Sequence, residues 1–193
     1  MKEMDLFDLI ERMGALIRSE ERKKCTAVGL QPVHLQALNY LSRCNKFSDT
    51  PAALATFLGM TRGTVSQTLS LLEKKGYVKK ISDVKDRRVV HLELMPEGKS
   101  ILEQGKPAEL FIKATAMMEN NNDVTKYAVG FEKALTALQK ANNSPSFGIC
   151  KTCHYFTKTD AGALCGLFKQ PLIQEETEKI CHEHTVVFWW KSG

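Results

Sequence analysis

The sequence predicts a mainly α-helical fold with one small antiparallel β-hairpin, followed by a small cysteine-rich C-terminal segment. Three observations predict it. Apolar residues recur at helical spacing in long stretches on both sides of residues 51–94. Within 51–94, two short helical patterns meet at a glycine and give way to alternating Val90, Leu92 and Leu94. Beyond a polar linker, four cysteines fall at C-x2-C-x11-C-x15-C spacing.

With 193 residues, 43% hydrophobic and 25% charged, the chain can bury one ordinary core and a small appendage. No apolar run reaches the length of a membrane span, and the N-terminus alternates charged with apolar residues. A signal peptide and a membrane anchor are therefore not expected, and a cytoplasmic location is. In that reducing setting, cysteines are expected to hold metal or do redox chemistry rather than form structural disulfides.

Residues 4–20 read as an amphipathic helix with Leu6, Leu9, Ile10, Met13, Leu16 and Ile17 on one stripe. Lys23, Lys24 and Cys25 follow near its expected end, where neighbouring ammonium groups favour a thiolate. Residues 30–44 predict the next helix, with Pro32 in its first turn and Val33, Leu35, Leu38 and Leu41 apolar. His34 and Cys44 are expected to be buried there, and residues 45–49 form a polar link.

Residues 51–94 organise the chain. Ala53, Leu54 and Leu58 make a short helix that Gly59 stops, and Thr61 can cap a second helix carrying Val65, Leu69 and Leu72 inward. Arg62, Ser66, Gln67, Ser70 and Lys74 remain on its outer side, and Gly76 ends it. Strands over 77–81 and 88–94 then flank the charged tip Asp83-Val84-Lys85-Asp86-Arg87-Arg88. His91 falls on the outward parity, as a solvated histidine or one that reaches a phosphate. Helix–turn–helix plus hairpin is a winged helix–turn–helix. Residues 51–91 carry eight Lys or Arg against three acids, a surplus of five that equals the net charge of the whole chain. That concentration is the footprint of a polyanion binder.

LATFLGMTRGTVSQTLSLLEKKGYVKK, followed by DVKDRRVVHLELMPEGKSIL, resembles the MarR family of bacterial transcription regulators. T-V-S-x-x-L-x-x-L-E-x-K-G in the second helix and D-x-x-D-R-R at the wing carry the resemblance, which spans roughly residues 4–142. It implies that Arg62, Thr64, Ser66 and Gln67, with Ser70 on the same face, meet the major groove. It implies wing cations at Lys85, Arg87 and Arg88, with Asp83 or Asp86 holding an arginine in place. It further implies a homodimer on a pseudo-palindromic operator, repression as the expected outcome, and an effector pocket near Phe111, Met117 and Met118, against core packing as the plainer reading of those residues. Cys25 would match the sensing cysteine of the family's peroxide-responsive branch, against a passive cysteine near an interface. Met95 departs from the threonine more usual there.

After the wing, residues 96–118 are helical in pattern but interrupted at Gly105-Lys106-Pro107, where proline removes an amide and should kink the helix. Asp123, closing a polar loop, is expected to cap a last helix with Val124, Tyr127, Phe131, Leu135 and Leu138 on one stripe. The stripes before and after the reading block point to dimerisation helices.

The predicted division is therefore residues 1–143, the winged-helix region with its dimerisation helices, and residues 147–193, a metal-binding tail. Cys150, Cys153, Cys165 and Cys181 are the candidate ligands, with His154, His182 and His184 as substitutes. A segment this short needs a staple, and metal is a natural one. Zinc suits four thiolates, or three and a histidine. Yet there is only one C-x2-C pair, and two lone cysteines among aromatics resemble small iron–sulfur folds. Zinc, an iron–sulfur cluster and a metal-free dithiol all stay open at this level, as does a cluster that senses redox state or iron. Val186 and the residues after it are alternatively a docking end for a partner protein. No His-Glu-x-x-His helix and no dithiol in a βαβ setting is present, so an enzyme is not expected.

Overall fold

The computed structural model describes residues 5–105, 108–117, 121–159 and 162–186. Helix α1 (Leu6–Ala27) begins with a reciprocal cap. The Asp5 carboxylate accepts from the Phe7 and Asp8 amides, and Asp8 accepts from the Asp5 amide. It runs well past residue 20, so Lys23, Lys24 and Cys25 lie inside it. Helix α2 (Pro32–Arg43) starts at Pro32, whose missing amide costs nothing in a first turn.

The reading block forms as its sequence dictates. Helices α3 (Pro51–Leu58) and α4 (Arg62–Lys74) are capped by Thr50 and Thr61, whose hydroxyls accept from the Ala53 and Thr64 amides. Gly59, at φ 63°, makes the left-handed turn between them. Strands β1 (Val78–Ser82) and β2 (Val90–Leu94) pair antiparallel, with Val78 opposite Leu94. The second strand starts later than its sequence suggests because tip residues 83–89 are held by their own side chains and by turn bonds. Leu38, Leu54, Val65, Leu69, Leu72, Val78 and Leu92 bury one continuous core between α2, α3, α4 and the wing.

Helices α5 (Pro96–Gly105), α6 (Ala108–Ala116) and α7 (Asn121–Ala141) follow. Gly98 is required where it stands, because any β-carbon there would run into the Tyr77 carbonyl. The predicted kink at Pro107 lies outside the described residues. Asp123 does not precede the last helix: α7 has begun by Asn121, placing Asp123 in its first turn. The predicted stripes are largely uncovered. Leu6, Leu9, Met13 and Leu16 on α1, with Tyr127, Phe131, Leu135 and Leu138 on α7, are exposed in the single chain, Ile10 and Ile17 are half-buried, and the side chain of Val124 lies outside the described residues.

The C-terminal segment is built from short pieces. Strand β3 (Gly148–Ile149) leads into a 3₁₀ turn (Cys150–Thr152), then β4 (Phe156–Thr159), β5 (Gly162–Cys165), β6 (Gln170–Leu172), helix α8 (Gln174–Thr177) and β7 (Ile180–Cys181). Strands β4, β5 and β6 form one antiparallel sheet, and β3 pairs with β7. Its own buried apolar set is Cys150, Leu172 and Cys181, with Phe47 of the α2–α3 connector packed against them. Ile180 instead joins the main core, and the ring of Phe147 meets Phe57 at 5.1 Å. Phe188, Trp189 and Trp190 lie outside the described residues.

Candidate functional site

Helix α4 buries Val65, Thr68, Leu69 and Leu72, which leaves Arg62, Thr64, Ser66, Gln67 and Ser70 exposed as predicted. Thr64 is partly committed, its hydroxyl 2.9 Å from that of the capping Thr61. Between α4, the start of α3 and the wing runs an open groove of about 480 Å³. Val65, Leu69, Val89 and Val90 contribute its apolar surface, and Arg62, Ser66, Lys80 and Arg88 its polar groups. Lys80, held by Glu73 at 2.8 Å, was countable in the charge total but has no motif to mark it as a groove residue.

The wing tip is organised by two aspartates. Asp83 accepts from the Lys85 and Asp86 amides at 2.7 and 2.8 Å, which holds its carboxyl below the usual range. Asp86 takes a two-pronged bond from Arg88, Nε at 3.0 Å and Nη2 at 2.9 Å, so it is the aspartate that positions an arginine. Lys85, Arg87 and Arg88 all reach solvent, and Val84 is 98% exposed, anchoring nothing. His91 corrects both readings made for it. Its Nδ1 lies 2.6 Å from Asp49 and its Nε2 3.3 Å from Asp83, so it ties the wing to the residue before α3. The bond to Asp49 raises the imidazole pKa, while burial raises that of Asp49.

The second cluster gathers Cys150, Cys153, Cys165 and Cys181 on the wall of one small pocket, with Tyr155, Phe156, Leu167, Phe168, Leu172 and Glu183. The 3₁₀ turn brings the first pair together, and the pairing of Phe156 with Cys165 brings the third. All four are free thiols. Asn45, nearly sealed from solvent, donates its side-chain amide to the Cys150 sulfur at 3.2 Å, and the Thr185 amide points at the Cys153 sulfur at 3.5 Å. The Cys150 thiol beside it holds Cys181 below the ordinary cysteine range, which favours a thiolate. Among the described residues no three His, Cys, Asp or Glu groups converge closely enough to hold a single metal ion.

The substitute histidines do not line this pocket. His184 sits between two hydroxyls, Ser146 at 2.9 Å and Thr152 at 3.0 Å. His182 contacts Ser48 at 3.2 Å and Glu183 at 3.0 Å, and His154 lies exposed against Tyr155. Cys25 is likewise corrected. It is 2% exposed, and burial followed by the Glu21 charge pushes its thiol up, not down. The lysines expected to activate it are paired elsewhere, Lys23 with Glu20 and Lys24 with Glu109. Phe111 and Met117 are exposed rather than packed in a core, and Met118 lies outside the described residues.

Comparison with known proteins places this geometry. The MarR family profile matches residues 28–89. The transcriptional repressor YetL of Bacillus subtilis is 29% identical over 123 residues, 64% of this chain and 71% of that protein. The multiple antibiotic resistance protein MarR of Salmonella typhimurium is 30% identical over 105 residues, 52% of this chain and 73% of that protein. Among solved structures, the MepR–DNA complex of S. aureus has a TM-score of 0.57 at 19% identity, covering 70% of this chain and 99% of MepR. No helix among the described residues is long and apolar enough to cross a membrane. The capped second helix, the aspartate-braced wing and these relatives together establish that the chain belongs to the MarR family of transcriptional regulators.

Proposed function

We propose that the protein grips duplex DNA as a symmetric dimer and acts as a repressor, with Arg62, Thr64, Ser66, Gln67 and Ser70 facing base edges and Lys85, Arg87 and Arg88 facing phosphates. One observation carries the reading. The outer face of α4 and the wing cation Arg88 open onto a single groove, whose rim supplies cations for phosphates and a hydroxyl for base edges. Lys80 joins that rim. The dimer is supported by the uncovered apolar faces of α1, α6 and α7, an arrangement costly to leave in water. Paired protomers would set two α4 helices about one turn of DNA apart. YetL, a named repressor, and MepR, solved with DNA, support the same reading. The regulatory signal enters through a small ligand or through the four-cysteine pocket, which we read as a metal centre.

Replacing the wing arginine tests the DNA assignment. Arg88→Ala should weaken binding to every duplex sequence and lower the salt slope by about one unit for the lost phosphate contact. Binding measured across a salt series decides it, and an unchanged slope removes the wing from the phosphate backbone.

A further inference from the structure

Residues 45–49 of the connector between α2 and α3, read from sequence as a plain polar link, are instead where the cysteine pocket and the DNA-reading block meet. Asn45 and Ser48 are almost fully buried. The Asn45 side chain donates to the Cys150 sulfur and accepts from the Ser48 hydroxyl at 2.7 Å, and its backbone amide donates to the Ile180 carbonyl at 2.9 Å. Ser48 Oγ accepts from the His182 amide at 2.9 Å. Phe47 stacks on Phe168, a wall residue of the pocket, with centroids 4.2 Å apart. Lys46 donates its amide to the buried Glu176 carboxylate at 3.1 Å.

The next residue turns to the other side. Asp49 accepts the Leu92 amide of the wing strand through its carbonyl at 2.7 Å and binds His91 through its carboxylate. His91 in turn reaches Asp83, which shapes the wing tip. Thr50 then caps α3, on the rim of the groove. A contiguous set of packed and hydrogen-bonded groups thus joins a ring of sulfurs to the cations that face DNA.

We infer that Cys150, Cys153, Cys165 and Cys181 hold an iron–sulfur cluster, and that its presence fixes residues 45–49 so that the wing and α4 stand in the DNA-binding arrangement. The inference rests on the DNA-binding reading above. A cluster fits the pocket better than one zinc ion on three grounds. Only one C-x2-C turn is present where a zinc ribbon brings two. Aromatic and aliphatic side chains jacket the sulfurs. Side-chain and backbone N–H groups point at two of those sulfurs, the kind of bond that tunes cluster thiolates.

The test uses the full chain purified without air. Iron and acid-labile sulfide analysis, a visible spectrum, and binding to duplexes that the protein itself selects from a random pool are measured together. The expected result is a brown protein with equal iron and sulfide, and a loss of duplex affinity of about tenfold or more when Cys165→Ser removes the cluster. Asn45→Ala, which keeps all four sulfurs, should retain iron yet lose most of that difference between loaded and cluster-free forms. A colourless protein with stoichiometric zinc, or a Cys150–Cys181 disulfide seen by mass, overturns the cluster. A loaded protein that binds DNA no better than its cluster-free form overturns the coupling. Failure of both forms to select any duplex overturns the DNA-binding reading instead, while the iron analysis still decides the cluster.

Discussion

The reading block and the cysteine segment are opposites in what they bury. Helices α3 and α4 and the wing put aliphatic side chains inside, with Leu54, Leu69 and Leu72 at 0–1% exposure, and present every candidate DNA-binding side chain to solvent. The segment from Gly148 to Cys181 turns its reactive groups inward, and its own buried apolar set is Cys150, Leu172 and Cys181. One unit is held by hydrophobic burial and works at its surface. The other is too small to be held that way, leans on the α2–α3 connector, and keeps its four thiols around one small pocket.

That contrast makes its strongest claim about stability. Leu69→Ala should cost about 2–5 kcal/mol, near the upper part of that range because the surrounding helices cannot close over the hole. Leu172→Ala should fall near the lower part, since so small a cluster relaxes readily. Urea midpoints for both variants decide it, and equal losses would mean the cysteine segment has a core as rigid as that of the reading block. A smaller effect tests local design within the block: Thr61→Ala removes the cap of α4 and should cost about 1 kcal/mol in the same measurement.

The smallest effect concerns the seam between wing and connector. A bond to Asp49 raises the His91 pKa above its ordinary 6.5, so the stabilisation it brings is complete below that value. It fades as pH climbs through the raised folded-state value. The stability difference between the native chain and His91→Gln should therefore shrink from pH 6 to pH 8, and a flat difference would show that His91 carries no charge in the seam.

Much of the fold was legible because single residues set it. Gly59, Gly76, Thr61 and the alternation of Val90, Leu92 and Leu94 define the winged helix whatever lies around them. The outward position of the DNA-facing residues followed from the same periodicity. Long-range pairing was not legible. Asn45 and Ser48 look like loop residues until Cys150 and His182, more than a hundred positions away, arrive to satisfy them. Lys23 and Lys24 suggested an activated Cys25, yet helix α1 continues past them and buries the sulfur, and burial and the Glu21 charge both push its thiol up. His91 misled for a related reason: strand parity says which side of the hairpin it occupies, not that Asp49 waits there.

Because Ile180 is seated in the main core and bridges to Cys44, the cysteine segment is not portable. Grafting it onto another regulator would require transplanting Asn45, Phe47 and Ser48 as well, since those side chains are half of its socket. Trimming it away would strip a wall from the helical region rather than release a passive passenger.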